Sequence, residues 1–223
     1  MLPDLAASLR AFTAASDRPV RIVFADDASS DATPILLSGL DTRLFAHVRC
    51  PLPSGQHRAV LRGMAHALRM PDIAMVATMD ADMDPPPDQL ALLIPLIGHA
   101  DLVVGYRMGR RRSVTRLAVS LVLRMCCNLL RPSPIRDHGS MFRLYAHETA
   151  ARCVHLSELG PCLPGLGLLS ARNPVEVPVC GGGSCRASRY SPGRIGRVGL
   201  DMLTLCARVR LRSTPLLAQQ DRR

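Results

Sequence analysis

The chain has 223 residues, a net charge of +10, 48% hydrophobic content and 3% aromatic content. That length and apolar content suit one folded domain with a substantial core and exclude wholesale disorder. Every basic residue is arginine, which excludes a lysine base, a Schiff-base lysine and a P-loop lysine; the charge favours anionic partners such as phosphates, nucleic acid or an anionic membrane surface, and the scarcity of stacking aromatics argues against nucleic acid.

Residues 2–15 place Leu5, Leu9 and Phe12 at helical spacing. Residues 20–25 form an apolar run expected as a strand, stopped by Asp26-Asp27-Ala28-Ser29-Ser30-Asp31. This acidic, serine-rich turn suits the cap of a helix over 33–40. Residues 45–50 suit another strand. Residues 55–68 suit a helix with Val60, Leu61, Met64 and Leu68 on one face. The continuous apolar run 73–79 predicts a strand buried on both faces, ending in Asp80-Ala81-Asp82. Pro85-Pro86-Pro87 then breaks the chain, Asp88 is placed to cap a helix over 89–97, and 101–105 is a further strand. Strand and helix therefore alternate, which predicts an α/β fold with a mainly parallel sheet flanked by helices.

Beyond Arg107 the pattern becomes arginine-rich, with an apolar stretch at 117–130 that is too short to span a membrane and carries Arg124. Residues 195–211 suit an amphipathic helix, with Val198, Met202, Leu205 and Val209 opposing Arg194, Arg197, Arg208 and Arg212. Such a helix can lie on an anionic bilayer or cover the sheet. The eight cysteines form no CxxC pair, and reduced thiols in a cytoplasmic setting are expected.

Carboxylates where a strand stops suit a hard divalent cation, and such a cation suits a diphosphate. The ordered segments Val23-Phe-Ala-Asp-Asp-Ala-Ser-Ser-Asp31, Ser54-Gly-Gln-His-Arg-Ala-Val-Leu-Arg-Gly63 and Asp80-Ala-Asp-Met-Asp-Pro-Pro-Pro-Asp88 resemble family 2 glycosyltransferases of the polyprenyl-phosphate sugar transferase type. Gly105-Tyr-Arg107, Arg136-Asp-His-Gly-Ser-Met-Phe-Arg-Leu-Tyr145 and Ala187-Ser-Arg-Tyr-Ser191 extend the resemblance over nearly the whole chain. The resemblance implies a GT-A fold over residues 1–212, with 213–223 as a tail, and inverting transfer from a nucleotide sugar to a polyprenyl phosphate at the cytoplasmic face of the inner membrane, with peripheral membrane contact. It implies that Asp80 and Asp82 are the catalytic pair and hold Mg²⁺ or Mn²⁺, with Asp84 either a third oxygen ligand or a helix-entry acid. It further implies nucleotide-sugar contacts from Asp26, Asp27, Gln56 and Arg189, and acceptor-phosphate contacts from Arg107 and Arg116. His57 beside Gln56 and the turn Asp137-His138-Gly139 belong to the same pattern.

The resemblance departs in two places. The family's opening strand and its Pro-x-x-Asn-Glu-like loop have no counterpart before the first helix, so one strand of the sheet is expected to be missing. A start further upstream, a non-catalytic, decayed member acting as a binding protein, or another element filling the gap would each account for this. The close relatives also continue into membrane helices after Ser-Thr-Pro-Leu, whereas only seven residues follow Leu216 here.

Overall fold

Apolar runs and amphipathic stretches alternate along this chain, and the fold turns that alternation into strands with helices packed across them. The computed structural model describes residues 1–108, 121, 124–125, 128, 133, 135–181 and 200–209. Helix α1 (Leu2–Ala14) starts with proline in its first turn, where a missing N–H costs nothing, and buries Leu5, Ala6 and Leu9. Next come β1 (Ile22–Asp26), α2 (Thr33–Ser38), β2 (Phe45–Arg49), α3 (Gln56–Ala67) and β3 (Met75–Thr78). Each lies within a residue or two of its expected place. The helix expected over 89–97 is broken up: only α4 (Leu90–Leu93) is α-helical, between 3-10 turns at Pro87–Gln89 and Ile94–Leu96. Pro95 cannot donate the bond that would continue it, and Asp88 lies inside the first 3-10 turn without making a cap hydrogen bond. The chain continues through β4 (Leu102–Arg107), β5 (Arg143–Ala146), α5 (His147–His155), α6 (Leu163–Ser170), β6 (Pro174–Val179) and a helix over 200–209, α7.

The strands form two sheets. β1 and β2 pair in parallel, with Ile22 opposite Phe45 and Asp26 opposite Arg49. The second sheet has the order β3-β5-β4-β6. β5 is antiparallel to both β3 and β4, and β6 is parallel to β4. β3, β4 and β6 therefore run the same way, and β5 alone departs from the expected parallel arrangement. β1 and β3 belong to different sheets, and among the described residues neither has a strand on its remaining edge. That edge position explains why β3 is not buried on both faces as its apolar run predicts: Val76 and Thr78 are buried, while Ala77 is exposed. β6 carries Pro174 as its first residue and Pro178 further on, which suits an edge strand bonded on one side only.

The larger core gathers Leu61 and Met64 of α3, Val76, Leu102, Val104 and Tyr145 of the second sheet, and the wholly buried α6. Of the helix expected over 195–211, the described part covers this core rather than lying free: Met202 and Leu205 are fully buried, and a Cβ added at Gly165 of α6 would stand 2.7 Å from Leu205 Cδ2. Leu200 and Leu203 of α7 are exposed. Among the described residues no helix is long and apolar enough to cross a membrane.

Gly105, inside β4, shows how tightly the sheet is packed above this core. A Cβ there would meet Phe142 Cδ1 at 2.7 Å and Val179 Cγ1 at 3.1 Å. Gly105→Ala should therefore destabilise the fold by about 1–3 kcal/mol through overpacking. A urea midpoint equal to wild type would contradict that packing.

Candidate active site

The end of β1 supplies two carboxylates with different surroundings. Asp26 is buried; its Oδ1 accepts the Ser29 N–H at 2.8 Å, and its Oδ2 lies 3.6 Å from both His47 Nε2 and Arg49 Nε. Burial opposes its charge, but the Ser29 hydrogen bonds and the Arg49 and His47 charges outweigh burial and hold its pKa below the usual carboxylate value. Asp27 reaches across to the start of α3. Its Oδ1 accepts from Ser54 N–H (2.6 Å) and Ser54 Oγ–H (3.0 Å), and its Oδ2 from Gly55 N–H (2.8 Å). Gly55 has φ +94°, so only glycine takes this turn without strain. Before α2, whose N-cap is Ala32, the Asp31 Oδ1 accepts the Thr33 N–H at 2.9 Å. Asp27 instead fixes where α3 begins.

That placement matters because the first residue of α3 is Gln56, whose Nε2 donates to Asp80 Oδ1 at 2.5 Å. Asp80 is half-buried and Asp82 exposed. Burial and the neighbouring negative charge of Asp82 raise the Asp80 pKa; Arg107 and the Gln56 bond offset part of this, and Asp84 adds to it. Crowded carboxylates of this kind suit a hard cation, whose charge relieves their repulsion. Magnesium-like ions commonly use one or two protein carboxylates plus substrate phosphates, so Asp80 and Asp82 fit that role. Among the described residues, no three His, Cys, Asp or Glu side chains converge on a common metal position. Met83 has φ 59°, a left-handed backbone, and the chain turns there so that Asp84 is buried instead of facing out like Asp82. The Asp84 N–H donates to Asp82 Oδ1 at 3.2 Å, and its carboxylate pairs with Arg107 at the end of β4.

A chain of contacts thus joins the carboxyl ends of β1, β3 and β4: Asp27 to the start of α3, Gln56 to Asp80, and Asp84 to Arg107. This is where open α/β folds bind ligands. Of the expected site residues, Asp27, Gln56, Asp80, Asp82, Asp84 and Arg107 are the ones these contacts bring to the carboxyl ends of β1, β3 and β4, with Asp26 buried beside Asp27 at the end of β1. Arg116 and Arg189 lie outside the described residues.

One buried residue of β5 escaped the sequence reading. Arg143 of β5 is 1% exposed, with its Nε donating to Ser140 O (2.7 Å), Nη2 to His138 O (2.7 Å) and Nη1 to Pro164 O (3.4 Å). It ties the turn after Asp137 to α6, and the backbone N–H groups of Arg136 and Asp137 are held by Glu176 Oε1 of β6. The only sequence signal was its place inside the segment from Arg136 to Tyr145.

Burial, with Arg143 as the second cause, keeps two histidines neutral. Burial first, and then Arg143, push the pKa of both His138 and His57 down from 6.5 to about 4; Arg124 adds to the effect on His138. In the unfolded chain each regains a proton below 6.5. Stability is therefore complete above pH 6.5 and lost as pH falls toward 4, by about 1.4 kcal/mol per pH unit for each histidine. His138→Gln should flatten the pH dependence of the urea midpoint between pH 7 and 5; an equally steep fall would contradict this assignment.

The arrangement of strands and flanking helices defines a GT-A fold. The glucosyl-3-phosphoglycerate synthase of Mycobacterium tuberculosis, in complex with Mn²⁺ and uridine-diphosphate-glucose, superposes with a TM-score of 0.54 at 17% identity, covering 93% of this chain and 83% of that one. The same synthase with phosphoglyceric acid also bound gives 0.51. The glycosyl transferase family 2 profile matches residues 2–146, and the chain belongs to that family. It is 28% identical over 220 residues to the undecaprenyl-phosphate 4-deoxy-4-formamido-L-arabinose transferase of Klebsiella pneumoniae, and 27% identical over 205 residues to that of Pectobacterium carotovorum. These alignments cover 96% and 90% of this chain but 64% and 62% of the relatives, so the chain spans about three-fifths of their length.

Proposed function

We propose that this chain transfers a sugar, with inversion, from a nucleotide-sugar donor to a polyprenyl phosphate, working against the cytoplasmic face of a membrane with Mg²⁺ or Mn²⁺ on the donor. The observation that carries this reading is that Gln56 and Arg107 both contact the Asp80–Asp84 loop, at Asp80 and Asp84, in a family 2 chain similar to undecaprenyl-phosphate sugar transferases. Asp26 and Asp27 border the nucleotide side, where carboxylates accept from base N–H and ribose hydroxyl groups. Gln56 orients Asp80, and Asp80 with Asp82 would hold the cation. When bound, the cation neutralises charge on the departing nucleoside diphosphate. Arg107 aligns the acceptor phosphate, as Arg116 and, on the donor side, Arg189 are proposed to do for their groups. A phosphate oxygen is already ionised at neutral pH, so the site has to align and steer it rather than deprotonate it.

The test is donor turnover with farnesyl phosphate in the presence of Mn²⁺ and of a chelator. Metal-dependent nucleotide release that needs the acceptor supports the reading; release indifferent to both disproves it. The split between β1 and β3 favours one competing reading, a non-catalytic binding member. That protein would bind nucleotide sugar without releasing the nucleotide.

A further inference from the structure

The acidic loop and the end of β4 meet in a contact that the proposed reaction does not use. Arg107 Nη1 donates to Asp84 Oδ2 at 3.3 Å, and both side chains are largely withdrawn from water, at 15% and 12% exposure. The contact engages one nitrogen of the guanidinium end-on, not the two-pronged fork that arginine offers a phosphate. The Asp84 backbone N–H is fixed on Asp82 Oδ1, next to the left-handed turn at Met83. A Cβ at Gly181 would stand 2.8 Å from Asp84 Oδ1, so a side chain at 181 would press on this carboxylate.

We propose that Asp84 is a positioning residue that stands in for the acceptor phosphate at Arg107 and competes with it. The inference rests on the reading of Arg107 as an acceptor-phosphate residue. A half-buried arginine with no anion beside it would be costly, and Asp84 removes that cost before the acceptor arrives. A phosphate monoester carries more charge and accepts from two nitrogens at once, so it displaces the single end-on carboxylate contact. Acceptor affinity is then set by the difference between the two anions, not by Arg107 alone. Asp84 thereby tunes affinity for the lipid phosphate.

The experiment measures the dissociation constant of farnesyl phosphate by calorimetry, in chelator and without donor. Asp84→Asn keeps the shape and removes the charge, and should tighten binding about tenfold. Gly181→Ala presses on Oδ1 and should tighten it by a smaller factor. A purely structural Asp84 predicts the opposite, because a misaimed Arg107 binds more weakly. Equal or weaker binding by Asp84→Asn, with binding abolished in Arg107→Ala, overturns this inference and leaves the acceptor role of Arg107 standing. Wild-type affinity in Arg107→Ala overturns both.

Discussion

Asp82→Ala should lower sugar transfer by at least about 100-fold while leaving the unfolding free energy within about 0.5 kcal/mol of wild type. Asp82 is exposed, and its Oδ1 accepts only the Asp84 N–H among the hydrogen bonds described for it. Its removal therefore takes little from the fold. A cation on the donor diphosphate supplies several kcal/mol of charge stabilisation, and every 1.4 kcal/mol is tenfold in rate. Asp80→Asn should cause a similar loss and, in addition, weaken the Gln56 contact that ties the start of α3 to this loop. Steady-state transfer measured beside urea unfolding separates the two effects. Near-normal transfer by Asp82→Ala would remove the carboxylate pair from the mechanism.

The largest effect on stability is expected at Arg143. Arg143→Ala removes three hydrogen bonds, strands the carbonyls of His138 and Ser140 in the interior and leaves a cavity under β5. A buried acceptor without a partner costs about 1–3 kcal/mol, so the total loss should be about 4 kcal/mol or more, a large share of a typical domain's stability. Arg143→Lys keeps the charge but cannot make the three-way fork, and should recover less than half of the loss. Urea unfolding of the three proteins checks this. A loss below about 1 kcal/mol in Arg143→Ala would mean that the turn after Asp137 holds itself.

Local signals made the first half of the fold legible. Apolar runs ending in acidic turns marked β1 and β3, and the spacing of Leu61 and Met64 marked the buried face of α3. The acidic pair was legible for the same reason, since two carboxylates at a strand end stand out in any sequence. What the carboxylates bind was not. Asp27 bonds Ser54 and Gly55, and Asp84 bonds Arg107, across 27, 28 and 23 residues of chain, and no local pattern states where the chain will return. Strand order was hidden likewise: β5 enters antiparallel between β3 and β4, although Arg143 to Ala146 has little of the look of a central strand. The resemblance led to the expectation of a missing strand; among the described residues β1 and β3 lie in separate sheets, with Ala25 and Ala77 exposed. Arg143 was invisible because burial of an arginine depends on carbonyls brought together by the turn and by α6.

The proposed activity is tested most directly by incubating the purified chain with a nucleotide sugar labelled in its sugar, farnesyl phosphate and Mn²⁺, then extracting the lipid phase. Label should move into the lipid phase, with inverted configuration at the anomeric carbon, and should stay behind when Mn²⁺ is chelated or when Arg107 is replaced by alanine. Tight nucleotide-sugar binding with no label in the lipid phase under any of these conditions would contradict sugar transfer to a polyprenyl phosphate.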